Sequence, residues 1–474
     1  MEGNEERTSS LTRRQALTGA AVLGSAATVG GRGAITTGTR KTGGSLPAAH
    51  VREILDEISP RNIEQTILGL VSFGTRNTLS SQTDPQRGIG AARDWLLQQF
   101  QQVAAASKGR LSVGLQSYLQ PAGSRIPTPT VITNVVATLP GTQPESAGRI
   151  YVVSGHYDSR GTNVLDTTLD APGANDDASG VAAALEMARV MSKRQFDATL
   201  VFMAVAGEEQ GLYGSNFYAT QAKAQGLNIA GMFTNDIIGS STAQDGKRDP
   251  FSVRLFVEGL PSTPAPAEAA IRLDGGETEL PPRQLARYIK EVGENEATSM
   301  NVDVIVRRDR FGRGGDHIPF LAQGYPAVRF TEWREDYRHQ HQDTRLVAGV
   351  QWGDLPQFVD YQYIARVARV NATALASLAL APATPSGALI DPTAQVIDTA
   401  LKWSANTESD LAGYEVLYRP TTDPDWTSAV TIPVGKVTTF TVTDTYKDDY
   451  FFGVRAIDSG GNRSPVAAFI IPGT

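Results

Sequence analysis

Three short apolar runs recur through the middle of the chain, and each closes on polar or acidic residues. Arg149-Ile150-Tyr151-Val152-Val153 leads into Ser154-Gly155-His156-Tyr157-Asp158-Ser159. Thr199-Leu200-Val201-Phe202-Met203-Ala204-Val205-Ala206 ends in Gly207-Glu208-Glu209-Gln210-Gly211. Gly231-Met232-Phe233-Thr234-Asn235-Asp236-Ile237-Ile238 carries Asp236 near its apolar end. Continuous runs of this length predict strands buried on both faces of a sheet. After the turn Ala171-Pro172-Gly173-Ala174-Asn175-Asp176-Asp177-Ala178-Ser179-Gly180, small residues from Val181 to Lys193 predict a helix packed closely on that sheet. A further strand is predicted over Phe251 to Val257 and an amphipathic helix over Leu285 to Val292, after Pro281-Pro282. Strands alternating with helices in this way predict an α/β domain.

The pattern changes after the Pro/Ser/Gly spacer Ala381-Pro382-Ala383-Thr384-Pro385-Ser386-Gly387. From there on, short alternating strands with turn signals predict an all-β module. Ala400-Leu401-Lys402-Trp403, Gly413-Tyr414-Glu415-Val416-Leu417-Tyr418-Arg419 and Tyr450-Phe451-Phe452-Gly453-Val454-Arg455-Ala456 resemble a fibronectin type III domain. Such a domain is a β-sandwich, with Trp403 between its sheets, and implies an accessory or tethering role. At the other end, Thr12-Arg13-Arg14-Gln15-Ala16-Leu17 followed by Ala20-Ala21-Val22-Leu23-Gly24-Ser25-Ala26-Ala27 resembles a twin-arginine export signal, too short and weakly apolar to span a bilayer. The expected organisation is a signal over 1–34, an α/β domain over 45–382 and a β-sandwich over 388–474. It places the protein in the periplasm, on the cell surface or outside the cell.

Composition narrows the chemistry. The chain of 474 residues has no cysteine, so disulfides and thiolate ligands are excluded and any metal must be held by His, Asp and Glu. A net charge of -7 argues against nucleic acid or an anionic membrane as the main partner. Composition gives no further clue to a partner, and oligomeric state is not indicated. Only five histidines are present, and most fall in motif-like stretches.

Strand ends are where α/β sheets build their sites, and three of them deliver His156, the Glu208-Glu209 pair and Asp236 to one rim. Loops add Asp176 and Asp177, the pair Asp316-His317, and Tyr337-Arg338-His339-Gln340-His341-Gln342-Asp343-Thr344. Each has an ordinary structural reading. Asp176 or Asp177 can cap a helix, Glu208-Glu209 can be a solvated turn, Asp236 can end a strand, and His317 can pack on Pro319 and Phe320.

Taken in order, His-x-Asp, Gly-x-Asn-Asp, Gly-Glu-Glu, a strand-end Asp, Asp-His and His-x-x-x-Asp-Thr resemble the co-catalytic zinc aminopeptidase family, which is related to glutaminyl cyclases. The resemblance implies a mixed central sheet with helices on both faces and two zinc ions. It implies that Asp176 bridges them, that His156 and Asp236 complete one site, and that Glu209 and His339 complete the other. Glu208 would be the general base, with the water between the two ions as nucleophile, and Asp158 would accept the second ring proton of His156. His341 is the alternative last ligand, and Asp316 and His317 are candidates for outer support. An aromatic residue normally precedes the last histidine in this family. Arg338 stands there instead, which leaves Tyr337 as a candidate donor to the transition state. The expected activity is removal of N-terminal residues from peptides. A cyclase, a carboxypeptidase variant and a peptide-binding protein without catalysis are the alternatives.

Overall fold

The computed structural model describes residues 38–41, 46–261, 263, 264, 269 and 271–469. The export-like segment over 1–34 lies outside the described residues, as does most of the Pro/Ala-rich stretch 262–270. In chain order the first elements are α1 (Ala49–Glu57), α2 (Pro60–Val71), α3 (Ile89–Ala106), β1 (Ser112–Gln120), β2 (Thr130–Leu139), β3 (Arg149–His156), α4 (Ala178–Met191) and β4 (Thr199–Val205). They are followed by α5 (Glu208–Gly211), α6 (Tyr213–Ala224), β5 (Asn228–Asn235), β6 (Ser252–Val257), α7 (Pro281–Gly293), β7 (Asn301–Ile305), α8 (His317–Ala322) and β8 (Ala327–Glu332). A small hairpin of β9 (Arg345–Val347) and β10 (Val350–Trp352) precedes the long helix α9 (Tyr361–Leu380).

Strands β1 to β8 form one sheet in the order β1-β2-β4-β3-β5-β8-β6-β7. The centre, β4-β3-β5-β8, is parallel, the pairs β1–β2, β2–β4 and β8–β6 are antiparallel, and β6–β7 at the far edge is again parallel. The two faces are separated by the period-2 alternation of strand side chains. Tyr151, Val153, Leu200 and Phe202 join the core shared with α1, α2, α4, α7 and α9. Val152, Val201, Met203 and Val205 join a second core, in which Ala219 and Ala222 of α6 and Phe320 of α8 pack. Helices therefore cover both faces, which explains why β4 is buried along its whole length. None of the described helices is long and apolar enough to cross a membrane.

After α9, β11 (Leu389–Ile390), β12 (Thr399–Lys402), β13 (Leu411–Pro420), β14 (Val430–Gly435), β15 (Thr439–Val442), β16 (Tyr450–Asp458) and β17 (Ala467–Ala468) make two antiparallel sheets, β11-β12-β15 and β14-β13-β16-β17. Trp403, Tyr414, Val416, Phe452 and Val454 share their core. These sheets are joined to the first by buried polar contacts, and a loose tether would not show them. Glu279 receives Arg419 from β13 at 2.7 Å and Arg287 from α7 at 2.9 Å, while Trp426 Nε1 donates to Gln284 Oε1 at 2.8 Å. Arg149 at the start of β3 lies 3.3 Å from Glu408.

Asp197 sits near the same junction, where burial and the neighbouring Asp410 and Asp458 push its pKa up to about 6 from an ordinary 3.8. Between those two pH values the folded chain holds a proton that the unfolded chain releases. Stability is therefore highest below about pH 4 and falls as pH rises toward 6. Asp197→Asn removes the ionisation and is expected to add about 1 kcal/mol at pH 7, a value reduced for partial exposure, and nothing at pH 3.5. Thermal unfolding of both proteins across that range checks it.

Candidate metal centre

β3 lies between β4 and β5 and runs parallel to both, so connections leave its carboxyl end toward opposite sides. That arrangement opens a crevice at the carboxyl edge. His156 is the last residue of β3, Glu208 and Glu209 follow β4, and Asp236 follows β5. The loop before α4 reaches the same edge because Gly155 and Gly180 let backbones touch. A Cβ on Gly155 would lie 2.3 Å from the Gly180 carbonyl carbon, and one on Gly180 would lie 2.1 Å from the Asn235 oxygen. Asp177 is the cap of α4, accepting the Gly180 N–H at 2.9 Å and the His156 N–H at 3.0 Å. The capping role falls on Asp177, and the Asp176 side chain is left for other use.

Asp176 stands between two histidines. Its Oδ1 is 3.1 Å from His156 Nε2 and its Oδ2 is 3.0 Å from His341 Nε2. His156 Nε2 also faces Asp236 Oδ1 at 3.9 Å and Glu208 Oε2 at 4.0 Å, while His341 Nε2 faces Glu209 Oε1 at 3.0 Å. Gly207, with φ 74°, turns the chain after β4, and the adjacent carboxylates of Glu208 and Glu209 diverge, one to each histidine. Two groups of ligand-type atoms result, His156 with Glu208 and Asp236, and His341 with Asp176 and Glu209.

These residues fit zinc. Asp176 Oδ2 and Glu209 Oε1 are buried and accept no hydrogen bond among the described residues, although each lies 3.0 Å from His341 Nε2. Convergence without hydrogen-bond geometry is what a shared cation resolves. Ligand atoms on a tetrahedral zinc at ~2.0–2.1 Å are spaced by roughly 3.3 Å, within the range seen here, and nitrogen and oxygen donors without sulfur suit that ion.

The field in the crevice is strong. Against burial, His341 and His156 hold Asp176 well below the usual carboxylate range. Burial opposes charge on His341 too, but Glu209 and Asp176 outweigh it and raise its pKa to about 10. Glu208 is pushed well up by burial, with Asp236, Glu209 and Asp316 adding to the rise.

Surrounding groups hold the ligands in place. His156 Nδ1 is 3.1 Å from the main-chain oxygen of Asp158 and 3.6 Å from its carboxylate. The expected carboxylate contact is thus replaced by a carbonyl, which still favours a proton on Nδ1 and leaves Nε2 free to bind. The Asp158 carboxylate instead accepts from Thr78 at 2.9 Å and from the backbone N–H groups of Glu208 and Glu209 at 3.3 and 3.1 Å. Asp354, which carries no motif and is not singled out by the sequence, accepts the N–H groups of Asn175 and Asp176 at 2.8 and 2.7 Å. Arg76 is fully buried and donates to the carbonyls of Tyr157, Leu70, Pro172 and Gly173, tying the loops after β3 and before α4 together.

Arg329, also fully buried, lies 2.9 Å from Asp236 Oδ2 and 2.8 Å from Asp309, which orients the other oxygen of Asp236 toward His156. His317 belongs to this support. Its Nε2 donates to the Arg308 carbonyl at 2.7 Å, it lies 3.9 Å from Asp309, and burial lowers its pKa to about 4. Asp316 is buried, and burial, with Asp158 and Asp236 nearby, raises its pKa to about 7.

Two expectations are corrected. His339 stacks on Phe358, with ring centroids 3.6 Å apart, and its Nδ1 lies 3.6 Å from Asp336, so the ring is held away from Asp176 and Glu209. His341, with φ 50°, occupies that place. Tyr337 is 60% exposed and does not line the crevice. His341→Ala is expected to remove at least half of the bound zinc and about 100-fold or more of any metal-dependent activity, whereas His339→Ala keeps both within about threefold. Elemental analysis of the two purified variants decides between them.

Above the two groups lies a cavity of about 410 Å³, lined by Asp176, Glu208, Glu209, Asp236 and His341 together with Arg125, Arg160, Arg310 and Arg313.

Comparison with known proteins gives the family and the fold. A family model described as peptidase family M28 matches residues 134–360, which hold every group named above except Leu70, Arg76, Thr78 and Arg125. A probable zinc metalloprotease of Leptosphaeria maculans is 50% identical over 428 residues, 90% of this chain and 98% of that one. One from Pyricularia oryzae is 49% identical over 435 residues, 90% of this chain and 86% of its own length. The crystal structure of LapB from Legionella pneumophila covers 70% of this chain and 75% of that chain at a TM-score of 0.50 and 21% identity, a likeness of fold.

Proposed function

This chain belongs to peptidase family M28, and from that premise we propose that it is an exported zinc aminopeptidase with two metal ions per chain. The observation that carries the reading is the shared carboxylate: Asp176 presents one oxygen to each of two histidines, and each histidine has its own acidic partners. Zinc is favoured by the donor set and by the relatives, which are described as probable zinc metalloproteases. A pair of such cations supplies a water of lowered pKa and a polarised scissile carbonyl.

The protein's own groups do the remaining work. Glu208 faces His156 at the first group, 4.0 Å from its Nε2, a place from which a carboxylate can take a proton from water and return it to the leaving amine. Asp158 holds the backbone of Glu208 and Glu209 in register, Asp354 holds that of Asp176, and Arg329 holds Asp236. Residues 1–34 serve as the export signal in this reading, and the C-terminal sheets act as a fibronectin type III-like module fastened to the catalytic domain.

Metal analysis, run with hydrolysis of a panel of aminoacyl anilides before and after chelation, tests the proposal. About two zinc ions per chain and chelator-sensitive release of the anilide are expected. One ion or none, with no aminoacyl substrate cleaved, would sink the aminopeptidase reading.

A further inference from the structure

The outer lining of the cavity is of one sign. Its carboxylates all belong to the two metal groups, and the other charged side chains are Arg125, Arg160, Arg310 and Arg313. These four arginines are unequally committed. Arg310 is bound to Asp309 at 3.1 Å and to Glu335. Arg125 gives one N–H to the Glu209 carbonyl at 2.9 Å. Arg160 donates to the carbonyls of Gly161 and Thr162 at 3.1 and 3.2 Å, and its Nη1 lies 3.9 Å from Glu209 Oε2. Arg313 has neither a hydrogen-bond nor an ion-pair partner for its guanidinium among the described residues.

When Asp176, Glu209 and Asp236 are engaged by cations, Glu208 is the one carboxylate left in the lining against Arg125, Arg160 and Arg313. On the far side of the scissile bond from the substrate's own α-ammonium, a further ammonium placed among these arginines meets like charge, whereas a carboxylate matches the guanidinium fork. A volume of about 410 Å³ is of the size that holds a small ligand, such as a dipeptide. We infer that Arg125, Arg160 and Arg313 hold a carboxylate of the substrate close to the scissile bond, so that short anionic peptides are the substrate class. This rests on the peptidase reading above. The carboxylate can be the free C-terminus of a dipeptide or the side chain of an acidic residue.

The test uses the metal-loaded protein and two matched pairs of peptides: leucyl-alanine against its amide, and leucyl-glutamate amide against leucyl-glutamine amide. kcat/KM is measured for each, and equilibrium binding is measured by calorimetry on the Glu208→Gln protein. The charged member of at least one pair is expected to be preferred about tenfold or more, and that pair identifies the source of the carboxylate. Arg125→Ala combined with Arg313→Ala should bring the ratio close to one, and Arg313→Lys alone should keep part of it. Equal values within both pairs, in turnover and in binding, overturn the inference even where chelator-sensitive hydrolysis is seen. Binding preference without hydrolysis of any peptide supports the inference and overturns the peptidase reading instead.

Discussion

Asp176→Ala is expected to strip zinc from both groups at once, leaving less than about 0.2 ions per chain and lowering peptide hydrolysis by more than about 1,000-fold. The reason is positional. Among the described residues, Asp176 is the one side chain whose two oxygens reach both histidines, at 3.1 and 3.0 Å. Without it, His156 keeps Glu208 and Asp236 at 4.0 and 3.9 Å, and Asp236 is already held by Arg329. His341 keeps Glu209 alone. Asp236→Ala is the matching control, since it touches only the first group and should leave about one ion bound. The backbone of residue 176 remains tied to Asp354 in the variant, so far-ultraviolet circular dichroism should be unchanged. Retention of one full ion by Asp176→Ala would show that the two groups are independent, and the shared-carboxylate argument would fail.

That dependence on one residue follows from how the crevice is built. Each ligand comes from a different segment, and the segments meet because β3, β4 and β5 end side by side and two glycines admit the α4 loop over them. Held at that edge, the carboxylates would repel one another, and besides the arginines that line the cavity two fully buried ones, Arg329 and Arg76, supply positive charge from outside it. Arg329 faces Asp236 and Asp309, and Arg76 lies among carbonyls close to Asp354, Asp158 and Asp177. Buried cations in such surroundings stabilise the acidic cluster without occupying the space in which a metal and substrate must sit.

The parts legible in the sequence are those that burial or alternation marks locally. β3, β4 and β5 are continuous apolar runs because both faces of the sheet are covered, and the polar residues that end them are the ones that line the crevice. The C-terminal strands were visible through alternation around Trp403, Tyr414 and Phe452. The β1–β2 pair was not, because β1 is an edge strand with many exposed positions and no clean period. The choice between His339 and His341 lay beyond local spacing. It is settled by Phe358, nineteen positions after His339, which stacks on that ring. Asp354 and Arg329 were equally silent, since a lone acid in a loop and a lone arginine in a strand acquire their roles only through contacts far along the chain. The depth of burial at the junction with the C-terminal sheets was hidden for the same reason: Glu279 and Arg419 look like ordinary surface charges until the fold pairs them.

Glu208→Gln separates proton transfer from metal binding, and is expected to lower kcat by about 10²–10⁴-fold with KM and zinc content nearly unchanged. Glutamine preserves the shape of the side chain and its place at the start of α5, where its N–H still reaches Asp158 at 3.3 Å. What is lost is the ability to take a proton from water. The competing role is specific and comes from the same geometry. Glu208 Oε2 is 4.0 Å from His156 Nε2 and can itself be a ligand of the first group with Asp236. A ligand role predicts that Glu208→Gln loses about one zinc ion and that added zinc restores much of the activity. A base role predicts a full metal complement and an activity that no concentration of zinc recovers. Elemental analysis and a zinc titration of kcat on one preparation therefore distinguish the two, and the base assignment stands only if the protein is both loaded and slow.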